Sequence, residues 1–150
     1  MAILLVITVL FLAYSNGAND NFKGVATLYG SGAASFPRAR AWATGAMLAG
    51  SLLSVLLAAS LMKTFSGSGL VPAEIARTPA LLVSVGGAGA ATVLLATVLG
   101  MPTSTTHALT GALAGVALLV GGGSAPWGKL WSSFVLPLLV SPPLALALAG

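Results

Sequence analysis

Long apolar runs broken by two polar interruptions set the pattern of this chain. Residues 1–13 are apolar; residues 14–24 then gather Asn16, Asn19, Asp20, Asn21 and Lys23, and residues 25–34 return to apolar sequence. Residues 1–14 fall short of the roughly 20 that a spanning helix needs. They read as a helix running into the polar stretch, or as one truncated at its start. Gly17 and Gly24 predict a broken helix there, with free backbone groups near Asp20. Gly30-Ser31-Gly32 punctuates the next run, so residues 14–34 suggest a re-entrant or half-helix hairpin, with Arg38 and Arg40 marking a membrane surface.

The pattern then becomes plainer. Residues 41–62 predict a spanning helix closed by Lys63, with Gly45/Ala49 and Gly50/Ser54 at the spacing that lets helices approach closely. Residues 64–78 predict a loop in which residues 72–77 form one interfacial turn, Glu74 and Arg77 making a solvated ion pair. Residues 79–100 predict a second spanning helix, softened by Gly86-Gly87-Ala88-Gly89. Pro102-Thr103-Ser104-Thr105-Thr106-His107 is the second interruption. Residues 108–120 resume a helix, with Gly111 and Gly115 in GxxxG spacing, and residues 121–124 form a turn. Trp127, Lys129 and Trp131 suggest an interfacial anchor. Residues 130–149 predict a last helix, kinked or broken near Pro137 and Pro142-Pro143.

Composition fixes the solvent. Mean hydropathy is +1.04 and only 5 % of residues are charged, against about 25 % in soluble domains, so the chain is expected in a membrane. Nineteen glycines and the lack of strand-like alternation favour packed helices over a barrel. The net charge of +4 is dispersed, which argues against a nucleic-acid partner. Zero cysteines exclude disulfides and thiolate metal sites. The first 13 residues carry no basic n-region, so no signal peptide is read. Lys and Arg are nearly balanced across the turns and leave the orientation open.

Against that background the polar interruptions stand out. Asp20 is one of two acidic residues in the chain, and an ionisable group at membrane depth points to function. Asp20 and Lys23, three apart, would share a helix face. They fit either a neutralising pair or a site in which Asp20, Asn19 and Asn16 offer oxygen to a cation such as Na⁺ while Lys23 and Asn19 draw an anion. Ser104, Thr105 and Thr106 open a helix, where hydroxyls and unpaired N–H groups suit a tetrahedral oxyanion. The same cluster would also serve merely to satisfy the broken backbone. His107 holds a hydrogen bond or relays protons, since histidine changes charge near neutral pH. No second His and no Cys is present to make a metal site with it, and no nucleophile–base–orienter set suggests an enzyme. No cofactor is expected beyond a coupling ion, Na⁺ or H⁺.

Gly17-Ala18-Asn19-Asp20, followed some eighty residues later by Pro102-Thr103-Ser104-Thr105-Thr106-His107, resembles the paired motifs of the inorganic phosphate transporter (PiT) family. Gly111, Trp131 and Ser141-Pro142 are similar to that family's pattern as well. The resemblance implies cation-coupled symport of inorganic phosphate. It implies an all-α membrane bundle with broken or re-entrant helices, one half of an inverted-repeat transporter in the cell membrane. It assigns Asn19 and Asp20 to cation and substrate sites and Ser104, Thr105 and Thr106 to the phosphate-binding helix start. The sequence departs from the family at two places. Lys23 stands where the family's second motif has Asn, and Met47 stands where many members carry an acid. Lys23 is therefore expected to take part of the role of a sodium ion, with protons as the coupling ion. Residues 1–150 form a single transmembrane domain that matches only the N-terminal repeat. The expectation is a piece of a longer product, or two copies of the chain pairing as a homo-oligomer. The alternatives are transport of another oxyanion such as sulfate, and a membrane scaffold or assembly subunit without transport.

Overall fold

The computed structural model describes residues 1–59, 62, 66–67, 69–76, 78–121 and 126–149. Its regular elements are helices: α1 (Ala2–Asp20), α2 (Ala26–Gly30), α3 (Phe36–Leu57), α4 (Ala73–Ala76), α5 (Pro79–Val98), α6 (Thr105–Val120), α7 (Trp127–Leu130) and α8 (Leu136–Ala149). A 3-10 turn (Lys23–Val25) precedes α2, and a π-helical turn (Trp131–Val135) joins α7 to α8. Four segments are long and apolar enough to cross a membrane: Ala2–Gly30, Phe36–Leu56, Pro79–Val98 and Trp127–Leu148. The chain is an integral membrane protein. Exposed Leu, Val and Ile side chains cover α1, α3 and α8, as expected where lipid rather than water is the surrounding solvent.

Helix α1 runs through Gly17 to Asp20, so the break expected at that glycine is not there. A glycine in a helix costs about 1 kcal/mol. Leaving backbone groups unbonded in hydrocarbon costs several, and the helix wins. The chain turns only after Asp20, where Asn21 N–H still bonds Gly17 O at 3.0 Å and Val25 N–H bonds Phe22 O at 3.2 Å. Phe22, Tyr29 and Phe36 stack with ring centroids 5.1–5.8 Å apart. These rings hold the turn and α2 against the start of α3.

Helix α3 begins five residues before the expected position. Ser35 is extended and Pro37 lies in the first turn, a favoured place because proline needs no N–H partner there. Arg38 and Arg40 consequently lie on the helix, with Arg40 5.7 Å from the Phe36 ring centroid. Ala39 and Ala43 of α3 are buried, but its two glycines meet no partner helix among the described residues. Gly45 and Gly50 have open space where a Cβ would project, and Gly45 and Ala49 line an open groove of about 510 Å³ beside Arg38 and Trp42.

Close packing occurs elsewhere. α5 is continuous through Gly86-Gly87-Ala88-Gly89, which serve approach rather than softening. A Cβ on Gly89 would lie 2.7 Å from Leu109 Cδ2 of α6, and one on Gly86 3.0 Å from Thr8 Cγ2 of α1. α5 thus sits between α1 and α6. Thr8 and Ser15, buried on α1, return their hydroxyls to Leu4 O and Phe11 O, both at 2.8 Å. Leu70, Val71, Leu81, Val85, Leu113 and Phe134 form the core that ties α5, α6 and the π turn together. Gly111 and Gly115 face open space instead.

In the C-terminal segment the irregular turn precedes Pro137. A π turn at residues 131–135 widens the helix where Pro137 has no N–H to offer Ser133. Pro142 and Pro143 lie inside α8 without ending it. Arg77 of the expected Glu74–Arg77 pair, the closing Lys63 and residues 122–124 of the glycine turn lie outside the described residues.

Candidate functional site

Two helix ends make the site, and each has a local cause. α5 stops because Gly100 adopts φ +69°, a left-handed conformation that costs a Cβ-bearing residue about 1–2 kcal/mol. Met101 N–H then reaches back to Ala96 O at 2.8 Å and Gly100 N–H to Thr97 O at 3.1 Å. This pair of bonds closes a helix whose next turn is forbidden by Pro102. After the extended Ser104, α6 starts at Thr105. Ser104 Oγ accepts from His107 N–H at 3.3 Å, the N-cap arrangement that satisfies one of the first-turn donors. At sixteen residues, α6 is about 24 Å long, less than the ~30 Å hydrocarbon core.

The end of α1 packs into this break. Asn19 Nδ2 donates to Thr97 Oγ1 at 2.8 Å and, more weakly, to Met101 O at 3.4 Å. Its Oδ1 accepts from Thr103 N–H at 3.4 Å. One helical turn earlier, Asn16 Oδ1 accepts from the Thr105 hydroxyl. Lys23, on the 3-10 turn, carries its ammonium back over the same place. It donates to Asn19 Oδ1 at 2.6 Å, Asp20 Oδ1 at 2.6 Å and Thr103 O at 2.7 Å. An ammonium has three N–H donors, so all three are committed. The Lys23 and Asp20 side chains are 40 % and 33 % exposed, at an open edge of the cluster.

The residues singled out in the sequence are therefore mostly brought together. Asn19, Asp20 and Lys23 form one bonded cluster with Thr97, Met101 O and Thr103. Asn16 and Thr105 form a second bonded pair beside it, and Ser104 lies between Thr103 and Thr105 in the chain. Thr106 and His107 are exposed on the first turn of α6. Three contributors were not picked out from sequence: Thr97, and the main-chain carbonyls of Met101 and Thr103. Thr97 carried a signal, a hydroxyl in the last turn of an apolar helix close to a proline break. The carbonyls carry none, because every residue has one. Asn21 is also used structurally, its Nδ2 donating to Thr44 Oγ1 of α3 at 3.2 Å.

Chemically, the cluster offers a set of oxygens around a cationic position beside a helix start that presents N–H and hydroxyl donors. No group of three His, Cys, Asp or Glu side chains gathers among the described residues, so a transition-metal centre has no ligand set there.

Known proteins resemble this chain along most of its length. Residues 16–150 match the model of the phosphate transporter family. Over its full length the chain is 31 % identical to a probable low-affinity inorganic phosphate transporter of Mycobacterium leprae, covering 35 % of that protein. Over 97 % of its length it is 30 % identical to proteins of the same description from Mycobacterium bovis and Mycobacterium tuberculosis, covering 34 % of each. The chain thus spans about a third of the length of the curated relatives it matches. No solved structure matches it. With a family match that begins at Asn16 and takes in the whole bonded cluster, the chain belongs to the phosphate transporter family.

Proposed function

We propose that this chain carries part of a cation-coupled pathway for inorganic phosphate across the cell membrane. The observation that supports it best is the joining of two helix ends, α1 and α6, through Asn16–Thr105 and through the Lys23 bridge from Asp20 to Thr103 O. Discontinuous helices whose ends meet in the membrane are the usual setting for substrate and coupling-ion sites in secondary transporters. On this reading Ser104, Thr105 and Thr106 hold phosphate oxygens at the α6 start, where the helix dipole favours an anion. Asn19, Asp20 and Asn16 supply oxygens around a cationic position, and the positive charge of Lys23 there draws the anion to the α6 start. The remainder of the pathway comes from a second repeat or from a second copy of this chain.

Radiolabelled phosphate uptake into cells lacking their own phosphate carriers tests the proposal. Uptake should depend on the protein and should fall to background in Ser104→Ala and Asp20→Asn. Excess sulfate should leave it unchanged. Normal uptake in both variants would point to a scaffold and overturn the reading, and equal inhibition by sulfate would replace phosphate with oxyanions at large.

A further inference from the structure

We propose that the Lys23 ammonium is a tethered cation, permanently filling the oxygen cage that a free monovalent ion would otherwise enter. This rests on the reading of that cage as the cation position beside the phosphate site. Its three ligands are a carboxylate oxygen (Asp20 Oδ1), an amide oxygen (Asn19 Oδ1) and a main-chain carbonyl oxygen (Thr103 O), at 2.6, 2.6 and 2.7 Å. Those are the ligand types that hard cations select. They come from the end of α1 and from the break before α6, so whatever cation sits there fastens the two together. All three N–H donors of Lys23 are spent on them, and its charge balances that of Asp20. The other acidic residue of the chain, Glu74, lies on the separate short helix α4.

A tethered ion differs from a free one in a way that matters for transport. It holds the α1–α6 junction together at any sodium concentration, and it cannot leave on the far side of the membrane. The cage therefore takes no energy from a sodium gradient. Lys23 makes this cage sodium-independent. Truncating the stem leaves the three oxygens without their cation and opens the cage to Na⁺ or ammonium.

The experiment compares melting of the detergent-solubilised wild type and Lys23→Ala in choline, sodium and ammonium chloride at constant ionic strength. Wild type should melt alike in all three. Lys23→Ala should melt lower in choline and recover saturably with Na⁺ or ammonium, because a ligand that binds only the folded state stabilises it. Asp20→Asn in the Lys23→Ala background should abolish that recovery. Phosphate affinity of Lys23→Ala should rise with Na⁺ by a factor in the range of about 5–150 typical of coupled sites. Lys23→Asn serves if the alanine variant folds poorly. A truncated variant indifferent to both cations, or a wild type with the same sodium response, would overturn the proposal. Recovery by Na⁺ without any phosphate binding would sustain the tethered-cation assignment and sink the phosphate reading instead.

Discussion

Replacing Asn19 by alanine removes the residue that joins three parts of the cluster. Four polar contacts disappear, but they are unequal. The bonds to Met101 O and from Thr103 N–H are 3.4 Å long and count for little, whereas those to Thr97 Oγ1 at 2.8 Å and from Lys23 Nζ at 2.6 Å are short. A neutral hydrogen bond contributes about 0.5–1.5 kcal/mol and one to a charged group about 1.5–3. Lys23 is 40 % exposed, so water replaces part of what its ammonium loses, and the low end of that range applies. The expected sum is about 2 kcal/mol, or a melting point lower by roughly 4–8 °C for a chain of this size. Thr97→Val isolates the neutral one of the two short bonds and should show about a quarter to a half of the effect. Thermal melting in detergent, followed by tryptophan fluorescence, reads both variants, and phosphate binding should fall in Asn19→Ala beyond what the melting shift explains. A melting point within about 1 °C of wild type, with unchanged phosphate affinity, would refute the assignment of Asn19 as the junction of the two helix ends.

Three further outcomes follow from the packing. Gly89→Ala places a Cβ 2.7 Å from Leu109 Cδ2; overpacking costs about 1–3 kcal/mol against a helix-propensity gain of up to about 1. Melting should therefore drop and should recover in Gly89→Ala/Leu109→Ala. Gly100→Ala must adopt φ near +69°, costing about 1–2 kcal/mol, and should loosen the α5 end that presents Met101 O and Thr103 O. Phosphate binding then weakens along with the melting temperature. Thr105→Val deletes the hydroxyl that bonds Asn16 Oδ1 and should weaken phosphate binding, whereas Thr92→Val, whose hydroxyl only returns to Ala88 O on its own helix, should leave binding unchanged.

How much of this was visible in the sequence depends on the kind of interaction. The membrane class follows from apolar length and scarce charge, and the helix start at Thr105 from Pro102 and a Ser/Thr run. Those are local signals. Gly17 misled because its local cost is smaller than the cost of unbonded backbone in lipid. The α3 start moved because Ser35 and Pro37 form a start signal that the charges of Arg38 and Arg40 obscure. Among the helix glycines, spacing favoured Gly45, Gly50, Gly111 and Gly115, yet close approach falls at Gly86 and Gly89. Which stripe meets a neighbour is decided by tertiary placement, and all four stripes are equally small. In the cluster, Asn16, Asn19, Asp20 and Lys23 announced themselves as polar groups in apolar surroundings. Their partners Met101 O and Thr103 O are main-chain atoms made available by a helix end, so only the structure identifies them.

The central claim is that the two interruptions converge on one anion site, and a double-mutant cycle on phosphate affinity tests it most directly. Equilibrium binding of radiolabelled phosphate would be measured for wild type, Asp20→Asn, Ser104→Ala and the double variant. A shared site predicts a coupling energy of about 0.5–3 kcal/mol between these residues of α1 and the α6 cap. Effects that add to within about 0.3–0.5 kcal/mol, or phosphate affinity untouched in either single variant, would contradict it.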